Sequence, residues 1–212
     1  LVRATASTDE RTLGALVVRE SARLSSLLTE FLDFARVRIA RRDRVDLAAV
    51  VRAACALAGE HPSRMPDARL TVRLAGDPLP LFGDEDLLHR AVFNLVLNAL
   101  QATRAGTEVT VTASVITPDQ VPRGVPFPDG ALSVQVADAG PGIASDVQNR
   151  LFEPFATNKV GGTGLGLSIT HRAVEAHRGV VLVDSSPAGT RFTILLPFDP
   201  VLMTWSGAPT LS

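Results

Sequence analysis

The chain has 212 residues, 46% of them hydrophobic and 20% charged, and its formal net charge is −1. This length accommodates one substantial core, and the near-neutral balance excludes the basic field expected of a nucleic-acid-binding protein. The one cysteine, Cys55, excludes a disulfide framework, and we expect it to be a small buried side chain. The sequence has no run of about 18 apolar residues, so we expect no membrane contact. Because it begins with Leu1 and has no signal-peptide pattern, we expect a cytoplasmic piece of a longer protein, whose parent can be membrane-anchored.

The first predicted element is a long helix from Leu13 to about Ile39. Apolar or small residues recur in it with spacings of 4, 3, 4, 3 and 4, the period of a helix bundle or coiled coil. Leu27 and Phe34 widen the stripe and favour a bundle. An Arg-rich stretch over 36–44 follows, which we interpret as a solvated hinge rather than a nucleic-acid-binding arm, because the chain as a whole is not basic. The stripe residues are Val17, Ser21, Leu24, Leu28, Phe31 and Ala35.

Mixed helix and strand patterns begin at Val45. Asp46 can cap a helix to about Ala58, and Asp84 or Asp86 can cap a second helix to about Thr103. A third helix is predicted from about Leu167 to His177. Alternating apolar residues predict five strands, over 70–74, 109–115, 132–136, 180–184 and 191–196, with a proline-containing loop over 117–130.

This order of elements lacks the regular strand–helix alternation of a doubly wound parallel sheet. It predicts an α/β (α+β) two-layer sandwich, in which a mostly antiparallel, mixed sheet of about five strands is covered by three helices. We therefore expect a bundle helix and hinge over 1–44, an α/β domain over 45–199 and a loosely ordered tail over 200–212.

Two asparagines lie one turn apart on the second predicted helix of the α/β domain. Asn94 and Asn98 are at i and i+4, so both amides project from one face of a helix that is otherwise apolar. A buried amide without a partner costs about 1–3 kcal/mol, so both need partners. An internal hydrogen-bond network and the ligation of a hard cation such as Mg²⁺ remain equally open at this point.

Two glycine-rich stretches follow. Asp138-Ala-Gly-Pro-Gly-Ile143 comes directly after a strand, and suits either a tight turn or a ligand with a hydrogen-bond donor edge. Further on, four glycines between Gly161 and Gly166 open onto a helix, a pattern whose backbone N–H groups cradle phosphates. Of the 21 Lys and Arg residues only Lys159 is a lysine, and it lies just before these glycines, where its charge can meet a terminal phosphate.

In this order the stretches resemble the sequence boxes of sensor histidine kinases. The asparagine helix resembles the N box, Asp138–Ile143 the G1 box, Phe152–Phe155 the F box and Gly162–Leu167 the G2 box. Residues 186–192 are similar to the motif before the last strand, and the apolar stripe is similar to the second helix of the dimerisation and phosphotransfer bundle. Over residues 13–197 the resemblance implies the ATP-binding sandwich shared by histidine kinases, type II topoisomerases, Hsp90-class chaperones and mismatch-repair ATPases.

The resemblance also implies residue roles in binding Mg-ATP. Asp138 would accept a hydrogen bond from the adenine amino group, and Thr190 would bond near it through a water. Asn98, with Asn94, would hold Mg²⁺ against the phosphates, while Asn94 and Lys159 would be catalytic, Lys159 by neutralising the γ-phosphate. The remaining implied cofactor-binding residues are Gly140, Gly142, Ile143, Gly162, Thr163, Gly164, Leu165, Gly166 and Leu167.

As the resemblance implies, Phe152 and Phe155 would anchor a lid over the phosphates. The lid pattern from Phe155 to Gly162 resembles that of the short-lidded, nitrogen-regulation type of kinase. Two partners are implied: a second copy of the chain, paired through the helix 13–38, and the receiver domain of a response regulator, whose aspartate would take the phosphoryl group.

None of the chain's histidines has the family's acceptor setting, so we expect the phosphorylated histidine to lie upstream of Leu1. His177 lies near a predicted helix C-terminus, a position that favours a partly cationic ring and carries no other signal. An ATPase of the same fold also remains open, although its glutamate base is replaced by Asn94 here. A serine kinase of this fold and a non-catalytic nucleotide-sensing scaffold remain open as well. The four histidines are His61, His89, His171 and His177.

Overall fold

The computed structural model describes residues 12–21, 24–25, 28, 32, 42–157 and 163–204, and the chain divides into two units, Leu1–Arg36 and Val37–Ser212. All described residues of the first unit are helical, and we name this helix α1. The predicted bundle helix is thus helical where it is described, and its residues Leu27, Phe31, Phe34 and Ala35 lie outside the described part. Its exposed large apolar side chains are Leu13, Leu16, Val17, Val18, Leu24, Leu28 and Leu32.

The second unit contains seven strands and five α-helices among its described residues. Three of the helices are long, and two of the strands have only four residues. In chain order the elements are β1 (Asp43–Asp46), α2 (Leu47–Gly59), β2 (Arg69–Ala75), β3 (Pro80–Gly83), α3 (Glu85–Ala102), β4 (Glu108–Ile116), β5 (Ala131–Ala137), α4 (Ser145–Gln148), α5 (Gly166–Ala176), β6 (Val180–Ser186), β7 (Gly189–Pro197) and α6 (Pro200–Thr204).

Five of these strands form one mixed sheet in the order β2-β4-β5-β7-β6. Only β2 and β4 are parallel, and the other neighbours are antiparallel. In register across the centre of the sheet, Ala113, Val134 and Ile194 are buried beneath the helical layer formed by α2, α3 and α5. The predicted fold class is therefore confirmed, including the mixed sheet and its three covering helices.

The opposite face of the sheet carries a smaller apolar cluster. Phe127, from the long loop between β4 and β5, packs there with Ala131 and Leu195. This loop, predicted over 117–130, contains one turn of 3-10 helix at Pro118–Gln120. The loop thereby shields one end of the face that the helices leave uncovered.

Two elements differ from the sequence expectations. The short strands β1 and β3 pair in a separate antiparallel ribbon, which the sequence did not predict because neither has more than four residues and β3 begins with a proline. The tail, expected to be loose, begins with α6, which contacts β3. Cys55, by contrast, is buried as predicted, and burial raises the pKa of its thiol to about 12.

His177 differs most from what its sequence position indicates, because its ring is buried and the site disfavours positive charge. Its Nδ1 lies 2.7 Å from the Ala173 carbonyl, and its Nε2 accepts a hydrogen bond from the Asp84 N–H at 2.8 Å. An Nε2 that accepts is unprotonated, so the ring is the neutral Nδ1–H tautomer. Burial lowers the pKa of His177, although the Ala173 hydrogen bond partly opposes the shift. The helix C-terminus favours positive charge at this position, but tertiary burial outweighs it.

His177 should make the protein less stable as the pH falls below about 6.5. Because the folded-state pKa lies below the unfolded value, the unfolded chain binds more protons in that window. We expect His177→Gln to lower the free energy of unfolding by about 1–2 kcal/mol at pH 7.5 and to flatten the decline in stability as the pH falls below about 6.5. Urea titrations across this range measure both effects. His89→Gln is the control, and an unchanged slope in His177→Gln would contradict the assignment.

Candidate functional site

A cavity of about 410 Å³ opens between α3, α5 and the loops that follow β5. This volume lies within the range of small-molecule sites in proteins. The structure brings many of the predicted site residues together around it. Those that line the cavity are Asn98, Asp138, Gly142, Ile143, Thr163, Gly164, Gly166, Leu167 and Thr190.

Helix α3 supplies one wall, and Asn98 is one of its polar residues. Gln101 and Ala102 line the cavity beside it, because they lie three and four residues further along the same helix face. Asn94, one turn earlier, is not among the lining residues. Its Nδ2 donates a hydrogen bond to the Gly166 carbonyl at 3.1 Å. The two predicted asparagines therefore occupy different positions, Asn98 on the cavity wall and Asn94 in a link between α3 and the start of α5.

Asp138 lies at the end of β5, where two backbone groups hold its carboxylate. Its Oδ1 accepts from the Gly140 N–H at 2.7 Å and from the Thr190 N–H at 3.4 Å. The Asp138 N–H in turn donates to the Thr190 carbonyl at 2.9 Å. The predicted proximity of Thr190 and Asp138 is thus present as a direct backbone contact. A carboxylate held in this way keeps a fixed direction relative to the sheet.

The loop after Asp138 approaches neighbouring backbone closely at two glycines. A Cβ on Gly140 would lie 2.5 Å from the Ala102 carbonyl oxygen, and one on Gly142 would collide with the Ser186 carbonyl. Gly142 also has a φ of +80°, which side-chain-bearing residues adopt at a cost. Gly142 is one of the residues that line the cavity, whereas Gly140 lies behind its wall. Both glycines of the predicted motif are therefore required by the geometry.

The segment that follows forms the described part of the predicted lid. Phe155, at a φ of +66°, donates its N–H to the carbonyl of Gly164 at 3.0 Å. Of the two predicted anchors, Phe152 stacks on His171 with ring centroids 4.7 Å apart, whereas the Phe155 side chain is 61% exposed. The described part of this segment is thus held by the Phe152 ring and the Phe155 backbone. The predicted residues Lys159, Gly161 and Gly162 lie outside the described part.

The start of α5 differs from the starts of the other long helices of the second unit. Asp46 caps α2 and Asp84 caps α3, each by accepting a hydrogen bond from a first-turn N–H. Helix α5 follows Leu165, which makes no side-chain cap, and its first turn has no acidic residue. Gly166 and Leu167 line the cavity at this end, while Leu165 itself is fully buried. Uncapped N–H groups at a helix N-terminus favour an anion.

Apolar side chains complete the cavity, and the sequence analysis did not select them. Leu151 and Phe192 are nearly buried and lie on the lining together with Val147. Their signal in the sequence is weak, because an apolar residue beside a cavity and one inside a core follow the same pattern. Phe192 is the last residue of the motif over 186–192, and the sequence indicates no separate role for it. The other lining residues missed are Ala99, Gln101, Ala102, Pro141, Ala156 and Thr157.

Among the residues that the structure describes, no group of three or more His, Cys, Asp or Glu side chains is placed to hold a metal ion. No helix within the same residues is long and apolar enough to cross a membrane. Among the described residues, the polar side chains that line the cavity are instead amides and hydroxyls, together with one carboxylate, that of Asp138.

The mixed sheet, its three helices and the cavity at the start of α5 define an ATP-binding α/β sandwich. Residues 83–200, more than half of the chain, match the family described as histidine kinase-, DNA gyrase B- and HSP90-like ATPase. The chain belongs to this family, and the resemblance found in the sequence is confirmed.

The relatives that match over most of the chain carry the names of sensor kinases. The sensory histidine kinase/phosphatase NtrB of Azospirillum brasilense is 32% identical, over 99% of this chain and 53% of its own length. Sensor histidine kinase ZraS of Escherichia coli (strain K12) is 33% identical, over 93% of this chain and 40% of its own length. The chain thus spans about a third to a half of the length of such relatives.

Two solved structures show the same arrangement. The mycobacterial sensor histidine kinase MprB superposes with a TM-score of 0.62 at 29% identity, covering 75% of this chain and 99% of that one. Full-length ShkA in complex with AMPPNP superposes with a TM-score of 0.67 at 29% identity, covering 93% of this chain and 40% of that one.

Gly142→Ala should weaken nucleotide binding at least tenfold, because the new Cβ collides with the Ser186 carbonyl and displaces the cavity loop. Titration with a fluorescent ATP analogue measures the change. Gly124→Ala is a matched control, since Gly124 has a φ of +84° but a Cβ there meets nothing within 4 Å. The control therefore carries similar backbone strain without the collision. Equal binding by the two variants would contradict the close approach at Gly142.

Proposed function

We propose that this chain is the catalytic region of a sensor histidine kinase. It binds Mg-ATP in the cavity and transfers the γ-phosphate to a histidine of the parent protein, for relay to an aspartate on a response-regulator receiver domain. One observation carries the proposal: a single cavity is lined by the backbone-held carboxylate of Asp138 and by Asn98 beside the uncapped start of α5.

The Asp138 end has the chemistry to bind adenine. A carboxylate accepts hydrogen bonds, and the exocyclic amine of adenine donates them. Ile143, Leu151 and Phe192 line the cavity and offer apolar surface to the faces of a base. The close packing of Gly140 and Gly142 keeps the loop backbone out of the space that a base needs. This end therefore supports binding of the base rather than of a phosphate.

The α5 end has the chemistry to bind phosphates and magnesium. Gly164, Gly166 and Leu167 place backbone at the cavity next to an uncapped helix N-terminus. Mg²⁺ in phosphoryl-transfer sites takes few protein ligands and completes its shell with phosphate oxygens and water. The amide oxygen of Asn98 suits such a site. In Asn94 the Nδ2 donates to Gly166, so the side-chain carbonyl oxygen is the polar atom that remains. When bound, Mg²⁺ would neutralise charge on the transferring phosphoryl group.

The residue at position 94 favours transfer to a protein side chain over hydrolysis. A hydrolytic enzyme needs a base to activate water, and an amide cannot take a proton. Asn94 also uses its Nδ2 to hold Gly166. Lys159 is the second residue that we propose to be catalytic. A non-catalytic scaffold that only senses nucleotide remains the second candidate, because binding by itself requires neither residue.

Phosphotransfer should depend on Asn98. In the parent protein incubated with γ-labelled Mg-ATP, we expect protein-bound label that is lost in acid and survives alkali, as a phosphohistidine requires. Asn98→Ala removes the amide oxygen from the cavity and should lower the labelling rate at least a hundredfold. Asn149→Ala, at an exposed asparagine, is the control. Measurable ATP binding without any label would favour the scaffold, and accumulating free phosphate would favour the ATPase.

We further propose that the chain pairs with a second copy through the helix 13–38 and acts in the cytoplasm. The exposed large apolar side chains of α1, including Leu24 and Leu28, favour burial in such a pair.

Leu28→Glu should shift the chain from dimer towards monomer, because it places a charge in the apolar stripe. Sedimentation at several protein concentrations measures the shift, which we expect to exceed tenfold in the dimer dissociation constant. Val201→Glu changes an exposed apolar residue of α6 and is the control. A dimer that persists unchanged in Leu28→Glu would contradict pairing through this helix.

A further inference from the structure

Ser185 is placed to hold the base end of the cavity from outside it. The residue lies near the end of β6 with a half-buried side chain, and it is not among the cavity-lining residues. Its Oγ lies 2.8 Å from the Ile143 backbone nitrogen and 3.1 Å from the Thr190 Oγ1. Ile143 and Thr190 both line the cavity. Ser185 thus contacts two walls of the cavity.

The donors and acceptors define how Ser185 makes these contacts. A backbone N–H can only donate, so Ser185 Oγ accepts from Ile143. The hydroxyl groups of Ser185 and Thr190 then share one further hydrogen bond, in which either can be the donor. Whichever of the two hydroxyls donates, this hydrogen bond fixes the orientation of the Thr190 hydroxyl. Without Ser185 Oγ, the Ile143 N–H loses this acceptor and the Thr190 hydroxyl loses this partner.

These contacts close a ring through the base end of the site. Asp138 and Ile143 are the two ends of one loop, and two hydrogen bonds join Thr190 to Asp138: the Asp138 N–H donates to the Thr190 carbonyl, and the Thr190 N–H donates to Asp138 Oδ1. Ser185 joins Thr190 to Ile143 and so connects the second end of the loop to the first. A Cβ on Gly142 would lie 3.3 Å from Ser185 Oγ, which shows how closely the loop packs against β6.

We propose that Ser185 is a positioning residue for the adenine base: it holds Ile143 and Thr190 in the arrangement in which, together with Asp138, they receive the base. This inference rests on the proposed function, since it requires that the cavity binds ATP. Ser185 acts through two other residues and has no role at the phosphates. Its removal should therefore weaken nucleotide binding while leaving the transfer step unchanged.

Ser185→Ala should raise the dissociation constant for Mg-ATP about tenfold, measured by calorimetry on this chain. In the parent protein, the KM for ATP in self-phosphorylation should rise by a similar factor and kcat should stay within about twofold. Ser185→Thr keeps the hydroxyl and should restore most of the affinity. Ser186→Ala is the matched control. Ser186 is exposed, and its Oγ accepts a hydrogen bond from the Ala188 N–H within the same turn. Thermal unfolding of each variant accompanies these measurements.

Each result decides the proposal. An unchanged dissociation constant in Ser185→Ala, or a fall in kcat without a change in KM, would overturn the role of Ser185 and leave the kinase function standing. If Ser185→Ala weakens ATP binding and the parent protein binds ATP but shows no phosphotransfer, the role of Ser185 is supported and the kinase function is refuted. A wild-type chain that binds no ATP would overturn both. Equal losses in Ser185→Thr and Ser185→Ala would overturn the role of the hydroxyl.

Discussion

The packing of α3 between α2 and α5 is the constraint on which the rest of the structure depends. Leu95, Val96 and Leu100 of this helix are fully buried in the main core. Burial of such side chains stabilises the fold by about 1.5–3 kcal/mol each, which fixes the rotation of the helix about its axis. Because the rotation is fixed by the apolar residues, Asn98 has only one direction available, and that direction is the cavity wall.

The two ends of the cavity are held by different physical means. At the Asp138 end, strands β5, β6 and β7 and the loop between Asp138 and Ile143 are connected by backbone and hydroxyl hydrogen bonds. At the α5 end, the contacts come from Gly164, Gly166 and the helix N-terminus, and the preceding segment is attached by Phe152, which stacks on His171. In the binding mode that we propose, the sheet-held Asp138 end would give the adenine base one fixed position. Backbone N–H groups at the other end suit a ligand whose charge is spread over many oxygens.

The fold was predictable because it depends on local patterns. Alternating apolar residues located all five strands of the main sheet, and the i, i+4 spacing located Asn98 on a single helix face. The ribbon of β1 and β3 was missed because four residues carry too little periodicity, and it forms only through pairing of residues far apart in sequence. Ser185 was missed for a similar reason. Its importance follows from the register that sets it opposite Thr190 across the β6–β7 hairpin, which no local pattern encodes.

His177 illustrates the opposite error, in which a local rule was applied and tertiary packing overrode it. Its position after α5 suggested a favourable site for positive charge, yet the ring fits against Gly83, where a Cβ would lie 2.7 Å from the ring carbon Cδ2. The apolar wall of the cavity was missed because Leu151 and Phe192 look like ordinary core residues in sequence. What distinguishes them is the open space on one side, and this is visible only in three dimensions.

The order of strands in the main sheet also bears on how the protein avoids association through its sheet. The strands β2 and β6 are its two edges, and the unpaired backbone groups of an edge strand can pair with another chain. Charged side chains oppose such pairing, because a second strand would have to desolvate them. Strand β2 carries exposed Arg69 and Arg73, and β6 carries exposed Asp184. Each edge therefore bears charge that an added strand would have to cover, which limits growth of the sheet by addition of further copies.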